Sequence, residues 1–346
     1  MWWNIFSSKA CQLLRALGTV MVLIVLGVIG LTYYTTVVVV YGPLAGQDNS
    51  DGKFAKGVLV VYHALILMVL WSYFACVLTE PGRVPDSWQP PPEDEEEEAA
   101  ETCKSNSEKR RRFCRKCTQW KPERCHHCSV CGRCVLKMDH HCVWIANCVG
   151  AYNYKFFLLF LLYTFLATVF DAIVLLSNFV DFFKDLEARR EAGSPSPLGP
   201  DTPEAQQQQQ EHRTGEEQTR GTGMAVVFVT FVLDVAFAAS LLGFIIMHAN
   251  LNLSNMTTIE MYEKKKTLPW RFDRGHHKNL LEVFGENPVF WLVPVHTPGQ
   301  LFRLLHISRL SGGRYPEMER DGLDPAGRPT EAGEEELMES QRSRCC

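Results

Sequence analysis

Four long stretches with little or no charge constrain the fold of this chain more than any other feature of its sequence. A hydrocarbon core about 30 Å thick takes roughly 20 helical residues to cross. Four stretches are long enough, namely residues 16–41, 57–78, 156–180 and 224–247. Each should be helical, because backbone N–H and C=O groups must find partners within the segment in lipid. The sequence therefore predicts a membrane α-helical fold with four transmembrane helices, although its net charge of −4 alone would also fit a soluble protein.

Positive charge is distributed unevenly among the segments that connect these stretches. Residues 79–155 carry thirteen Lys and Arg, and the segment after residue 250 carries another thirteen, whereas 42–56 carries two. Residues 181–222 carry five Lys and Arg against nine Asp and Glu. Basic connecting segments remain on the cytosolic side of a membrane. We therefore expect a multi-pass integral membrane protein with both termini and the 79–155 segment in the cytosol.

The segment between the second and third stretches is rich in cysteine and histidine. Residues 114–148 hold eight of the thirteen cysteines and four histidines. Thiols two residues apart can present two sulfurs to one zinc ion, and a reducing compartment keeps them available for metal. Two closed zinc sites need eight ligands, so four of the twelve candidates are left over. The natural ligands are the Cys-x2-Cys pairs, two of the histidines, Cys134 and Cys148, and Cys142 then has no obvious metal to hold.

Cys142 has neighbours that could make it reactive. His140 could take the proton of its thiol, and Asp139 could orient that imidazole, which are the parts of an activated nucleophile. Adjacency in sequence also fits another metal ligand or an inert buried thiol. From the residues alone these alternatives stay open.

The sequence Asp139-His140-His141-Cys142, in this cysteine-rich frame, resembles the signature of the DHHC protein S-acyltransferases, or palmitoyltransferases. The family's spacing of Cys, His and Asp residues is met at every gap from Cys114 through Asn153 to Phe157. The resemblance implies Cys142 as the acyl-accepting nucleophile, His140 as its general base and Asp139 as the group that orients the base. It also implies two structural Zn²⁺ ions, one held by Cys114, Cys117, His127 and Cys134, the other by Cys128, Cys131, His141 and Cys148. Cys125 and His126 would then have no part in either site.

Three further motifs outside the cysteine-rich segment resemble elements of the same family. Thr79-Glu80-Pro81-Gly82 is similar to an Asp-Pro-Gly motif, with Glu80 in place of Asp. Thr257-Thr258-Ile259-Glu260 is similar to a Thr-Thr-x-Glu motif, which the resemblance implies packs against the active-site region. Asn279 opens a C-terminal element, residues 279–285, in which the Asn is expected to support the fold near the membrane. The supporting residues predicted in this way are Thr257, Thr258, Glu260 and Asn279.

Composition divides the rest of the chain. We expect transmembrane helices 1 and 2 in 1–78, a disordered acidic linker in 79–108, and the zinc-binding catalytic module in 109–155. Helices 3 and 4 should lie in 156–250 with a disordered lumenal loop at 191–222, followed by a cytosolic C-terminal region, 251–311. The tail, 312–346, should be disordered, and its final Cys345 and Cys346 are either lipidated or without a role.

Charged residues in unusual places suggest partners. The module carries basic residues that could bind nucleic acid, anionic lipid or the phosphates of coenzyme A, and these are Arg110, Arg111, Arg112, Arg115, Lys116, Lys121, Arg124, Arg133 and Lys137. A module joined directly to a transmembrane helix favours the last two, so we expect no nucleic acid partner. Asp171 and Asp234 lie within predicted helices, where a carboxylate should face inward unless it reaches water near a helix end.

These observations predict an enzyme of the endomembranes (Golgi or ER) or the plasma membrane. It would take a long acyl chain from acyl-CoA, such as palmitoyl-CoA, onto Cys142. It would then pass the chain to cysteines of membrane-associated protein substrates, with the active site facing the cytosol. The alternative is a membrane-tethered zinc scaffold resembling a ubiquitin ligase, which would need a further Cys-x2-Cys pair. None follows Cys148.

Overall fold

A computed structural model describes residues 2–86, 88–90, 112–191, 203–263, 270, 272–301 and 304. The predicted linker beyond residue 90, residues 192–202 and the tail with Cys345 and Cys346 lie outside the described residues. The chain divides into two compact units, of which the first comprises Met1–Val22, Trp71–Phe160 and Ile246–Cys346. The second comprises Leu23–Leu70 and Leu161–Ile245.

Long helices account for most of the described residues. Helix α1 spans Trp2–Tyr33 and continues through a π-helical segment, Tyr34–Tyr41, into the short α2, Gly42–Ala45. The other long helices are α3, Ser50–Leu78; α4, Tyr154–Glu191; and α5, Pro203–Leu253. Four apolar spans within them are long enough to cross a membrane, and these are Leu17–Ala45, Ser50–Leu78, Tyr154–Ala188 and Gly223–Leu253. The predicted four transmembrane helices are thus confirmed.

Helix α5 begins well before its apolar span. Its backbone is helical from Pro203, whereas the composition predicts a disordered loop through residue 222. Proline suits the first turn of a helix, and the Gln, Glu and Ala residues that follow it are good helix formers even where no apolar face requires a helix. A composition that disfavours a buried core is compatible with a helix as well as with a loop.

Polar side chains meet inside the second unit. The Thr36 hydroxyl donates a 2.5 Å hydrogen bond to the Asp171 carboxylate, and Asp234 lies near enough to Asp171 for the two carboxyl groups to interact electrostatically. Both aspartates are 1% exposed. The prediction that they face inward is therefore confirmed, and the alternative that they reach water near a helix end is wrong.

Three antiparallel hairpins form the cysteine-rich part of the first unit. The first pairs β1, Arg112–Cys114, with β2, Gln119–Lys121, and the second pairs β3, His126–Cys128, with β4, Arg133–Val135. The third pairs β5, His140–Cys142, with β6, Asn147–Val149. The short helices α6, Thr258–Tyr262, and α7, His276–Phe284, follow α5. The two-residue alternation of the strands decides which side chains share a face.

Two asparagines attach the third hairpin to the end of α3. Asn147 Nδ2 lies 3.0–3.4 Å from the carbonyl oxygens of Cys76, Val77 and Thr79. Asn153 Nδ2 donates to the carbonyl oxygens of Cys148, at 2.8 Å, and Cys76, at 3.3 Å. The last turn of a helix leaves carbonyls without intrahelical donors, and these amides supply them. Because Asn147 lies opposite Cys142 in the hairpin, the same bonds hold Cys142 at the end of α3.

Candidate active site and metal centres

Two groups of four side chains have the composition of metal sites. The first group is Cys114, Cys117, His127 and Cys134, and the second is Cys128, Cys131, His141 and Cys148. These are the eight ligands predicted from the sequence. Within each group the ligand atoms all lie within 4.8 Å of one another.

The hairpins explain how consecutive residues reach different sites. His127 lies directly opposite Cys134 across the second hairpin, and both contribute to the first group. Cys128 follows His127 in the strand and therefore points to the other face, where it joins the second group. The second hairpin thus contributes to both groups and links its neighbours.

Distances between the donor atoms fit zinc. A tetrahedral ion with Zn–S near 2.3 Å and Zn–N near 2.0 Å separates sulfur from nitrogen by about 3.5 Å and sulfur from sulfur by about 3.8 Å. In the second group, Nδ1 of His141 lies 3.5–3.6 Å from the three sulfurs, and two of those sulfurs, of Cys131 and Cys148, are 3.4 Å apart. In the first group, Nδ1 of His127 lies 3.1–4.0 Å from its three sulfurs. Each group supplies four ligands and thus fits a closed structural site.

Tight turns bring the paired cysteines together. Gly132 follows Cys131 at a positive φ of 69°, and its N–H donates to the Cys128 carbonyl at 2.9 Å. Thr118 takes the equivalent place after Cys117 with a φ of 52°. By contrast, Cys125 is fully buried in the hydrophobic core, and neither it nor His126 belongs to the two groups.

Strand alternation also separates the residues of the Asp-His-His-Cys sequence. His141 points to its metal group, so His140 and Cys142, one residue before and after it, share the opposite face of β5. The His140 ring lies near enough to the Cys142 side chain for the two to interact, and this interaction contributes to the raised pKa of His140. Its Nδ1 lies 2.7 Å from Oδ2 of Asp139. The three predicted catalytic residues therefore form one connected chain of polar contacts.

Electrostatics favour a charged pair of Asp139 and His140. Burial lowers the pKa of His140, but the hydrogen bonds to Asp139 and Cys142 outweigh burial and raise the pKa to about 9. Burial raises the pKa of Asp139, yet the hydrogen bond and the charge of His140, together with the Thr258 N–H, hold it below its usual value. The ionised Asp139 therefore stabilises the protonated form of His140. A base that accepts a proton from a thiol needs its protonated form stabilised in this way.

Thr258 holds Asp139 from the other side. Its N–H donates to Oδ1 at 2.9 Å, and its hydroxyl lies 3.0 Å from Oδ2 and also contacts the Asp139 carbonyl oxygen. Thr257 caps helix α6 in a capping box with Glu260, and this fixes the start of the helix beside Asp139. The Thr-Thr-x-Glu motif thus packs against the candidate active site as the resemblance implies.

A buried ion pair attaches α6 to the hairpins. Arg124 donates to both carboxylate oxygens of Glu260, at 2.7 and 2.8 Å, and to the Asn255 side chain at 2.9 Å. Its guanidinium also lies 4.5 Å from the centroid of the Phe272 ring. The side chains of Arg124 and Glu260 are only 9% and 8% exposed.

Lys137 makes a second pair of the same kind, 2.7 Å from Glu282. Arg124 and Lys137 belong to the basic residues predicted to bind lipid or phosphate, but both pair with internal carboxylates. That part of the expectation is wrong, because charge counts along a sequence do not reveal a carboxylate more than 130 residues away. Among the exposed residues of the basic set are Arg115 and Lys116.

Known proteins resemble this chain over most of its length. The sequence profile described as DHHC palmitoyltransferase matches residues 107–265. A relative from Arabidopsis thaliana, named probable protein S-acyltransferase 14, is 47% identical over 324 residues that cover 91% of this chain and 94% of that protein. The mouse protein named palmitoyltransferase ZDHHC20 is 32% identical over 83% of this chain and 76% of its own length.

The chain belongs to the DHHC palmitoyltransferase family. Its curated relatives are named protein S-acyltransferases or palmitoyltransferases, which supports acyltransferase activity for this DHHC protein as well.

Asn279 and Glu80 complete the predicted motifs of this DHHC palmitoyltransferase. Asn279 is 1% exposed and donates to the Leu253 carbonyl, at the end of α5, at 2.6 Å. It also donates to Asp273 at 2.7 Å. Glu80 accepts a hydrogen bond from Arg133 at 3.3 Å, with both side chains partly exposed. The longer carboxylate of Glu80 thus ties the segment after α3 to the second hairpin.

Several residues around Asp139, His140 and Cys142 were not predicted from the sequence. His248 on α5 is 1% exposed, and its ring centroid lies 6.1 Å from that of His140. Phe157 contacts both rings, and the Tyr154 hydroxyl lies 3.2 Å from Nδ1 of His248. A histidine near the end of an apolar span was the available signal, but nothing in the sequence connects position 248 with position 140.

Proposed function

We propose that this protein is an S-acyltransferase that accepts a long acyl chain from acyl-CoA on Cys142 and transfers it to cysteine thiols of substrate proteins. The observation that carries the proposal is the connected chain Asp139–His140–Cys142, attached to the end of a transmembrane helix. Palmitoyl-CoA is the proposed donor, and membrane-associated proteins are the proposed acceptors.

The reaction proceeds in two thioester exchanges. In the first, His140 takes the proton of the Cys142 thiol, and the thiolate attacks the acyl carbonyl carbon. The bond from that carbon to the coenzyme A sulfur breaks, and His140 returns the proton to the leaving thiolate. In the second, His140 takes the proton of a substrate thiol, which attacks the acyl-Cys142 carbonyl. Cys142 leaves as a thiolate and recovers the proton.

Asp139 keeps His140 in the orientation that this proton transfer needs. Its Oδ2 accepts from Nδ1, which leaves Nε2 for the thiol, and its negative charge stabilises the imidazolium formed in each step. Thr258 in turn holds both carboxylate oxygens of Asp139. Cys142 is buried, which keeps its thioester away from bulk water.

The two Cys and His groups would each hold a structural zinc ion. Zinc bound there would join the hairpins and so stabilise the module, since closed four-ligand sites contribute directly to folding. Cys142 is in neither group and remains available to carry the acyl chain.

The substrate explains why the enzyme is a membrane protein. At about 0.8 kcal/mol for each buried methylene, a chain of about 14 CH₂ groups favours the bilayer by about 11 kcal/mol. The distribution of Lys and Arg supports a cytosolic active site, where acyl-CoA is available. The proposed location is an endomembrane (Golgi or ER) or the plasma membrane. Protection of 112–155 from a protease added to the cytosolic face of sealed vesicles would contradict this orientation.

Labelling with an acyl-CoA analogue tests the proposal. The wild-type protein and a Cys345→Ser/Cys346→Ser control should both acquire a hydroxylamine-sensitive acyl group, whereas Cys142→Ser should not. Metal analysis separates nucleophile from ligand: Cys142→Ser should keep the zinc content of the wild type, while Cys134→Ser should lose one ion. A zinc scaffold without chemistry would show no label in the wild type. Loss of zinc from Cys142→Ser but not from Cys134→Ser would contradict the assignment.

A further inference from the structure

Two aromatic rings, those of Phe157 and His248, lie against His140. The Phe157 ring meets it edge-on, with centroids 5.2 Å apart and planes at 69°. The His248 ring lies 6.1 Å away at 41°, and Phe157 and His248 contact each other at 5.1 Å. The Asp139 hydrogen bond fixes the position of Nδ1 of His140, but a single bond leaves the ring free to turn about it. The neighbouring rings restrict that rotation.

His248 is held in place by its own hydrogen bond. Burying an imidazole is costly unless its nitrogens have partners, and the ring is 1% exposed. The Tyr154 hydroxyl lies 3.2 Å from Nδ1 and provides such a partner. Tyr154 stands in the first turn of α4, and His248 lies in the last two turns of α5. This hydrogen bond therefore joins two helices beside the catalytic base.

We infer that His248 is a positioning residue that keeps the His140 ring aimed at Cys142, with Tyr154 fixing the His248 ring. This inference rests on the proposed role of His140 as the base. The ring of His248 contacts those of His140, Phe157 and Tyr154, so its effect should pass through His140. A side chain present only for packing would instead affect stability and zinc binding.

His248→Ala should lower the maximal rate of acyl-enzyme formation by about 10- to 100-fold, the usual effect of losing a group that orients a functional residue. The KM for the acyl-CoA analogue, the zinc content and the melting temperature should stay close to wild type. Tyr154→Phe, which removes only the hydroxyl, should lower the rate in the same direction by a smaller factor. Asn250→Ala is the matched control, because Asn250 is an exposed side chain two residues further along α5.

A double substitution decides whether the effect passes through His140. In a His140→Ala background, His248→Ala should cause no further loss of rate, because the residue that it orients is gone. A further loss of the full size would overturn the inference and leave the proposed base intact. If His140→Ala itself retained the wild-type rate, the proposed function would fail instead.

A second measurement covers a variant that does not fold. If His248→Ala loses zinc, His248→Asn, which can keep a polar partner for Tyr154, is tested in the same two backgrounds. Alkylation of Cys142 by iodoacetamide, followed on the isolated peptide, should slow in every variant with a misdirected His140. Wild-type alkylation and acylation rates in a zinc-loaded His248 variant would overturn the inference.

Discussion

The buried pair of Arg124 and Glu260 gives a prediction whose size follows from the structure. Replacing Arg124 by Met removes both hydrogen bonds to Glu260 and the one to the Asn255 side chain. Glu260 is then left as a charge that is 8% exposed and has lost its counterion. Breaking one side of a buried pair costs about 3–5 kcal/mol. Exposure this low means that solvent screening scarcely reduces the loss.

The assay should follow the module rather than the whole membrane protein. Release of zinc to a colorimetric chelator during heating reports the opening of the hairpins directly. For a unit of about 150–250 residues, 1 kcal/mol shifts the midpoint by about 2–4 °C, so Arg124→Met should lower it by about 6–20 °C. Acylation should fall with it, because α6 carries Thr258 to Asp139.

A second variant tests the reason for the loss. In Arg124→Met/Glu260→Gln no charge is left uncompensated, and glutamine can still serve in the capping box with Thr257. We expect this double variant to recover a large part of the lost midpoint. If the zinc-release midpoint of Arg124→Met lies within about 2 °C of wild type, leaving the buried Glu260 without its partner does not carry the expected cost. A double variant as unstable as the single one would show that the unpaired charge is not the cause.

Three further predictions concern other contacts of the same unit. Thr258→Val should slow acylation about tenfold or more with zinc retained, because it removes the hydroxyl that contacts Asp139 but keeps the N–H. Thr258→Ser, which keeps a hydroxyl, should have close to the wild-type rate. Equal rates in the Val and Ser variants would show that the hydroxyl does not position Asp139. Gly18→Val should destabilise the contact with the third hairpin, since even a Cβ at Gly18 would lie 2.9 Å from Cβ of Ala146. Gly27→Val should behave as wild type in the same zinc-release assay, because no atom of the described residues, apart from its own helix backbone, lies within 4 Å of a Cβ at Gly27. Removing zinc with a chelator should abolish acylation and expose 112–149 to proteolysis, and adding zinc back should reverse both effects. If zinc removal changes neither acylation nor proteolysis, the two sites are not structural.

The regular parts of this protein could be predicted from local sequence. Apolar length predicted the four helices, because lipid leaves a chain no other way to satisfy its backbone over such a distance. Close spacing of Cys and His predicted two zinc sites, because ligands of one ion come from tight turns and paired strands, and the family resemblance implied which eight side chains form them. The helical backbone at 203–222 was missed because the composition that disfavours a core does not disfavour a helix.

The contacts around Cys142 were decided by tertiary structure. His248 approaches His140 from a helix more than 100 residues further along the chain, and Glu260 reaches Arg124 across a comparable separation. Such pairs have no local period or spacing, so a sequence can indicate that a buried polar residue needs a partner but not which partner it has. By itself the sequence determined the four apolar helices, and through its resemblance to a known family it predicted the ligands, the nucleophile and the neighbouring base. Packing of α5, α6 and α7 against the hairpins determined what holds the His140 ring in place, because the orientation of a ring depends on everything that touches it.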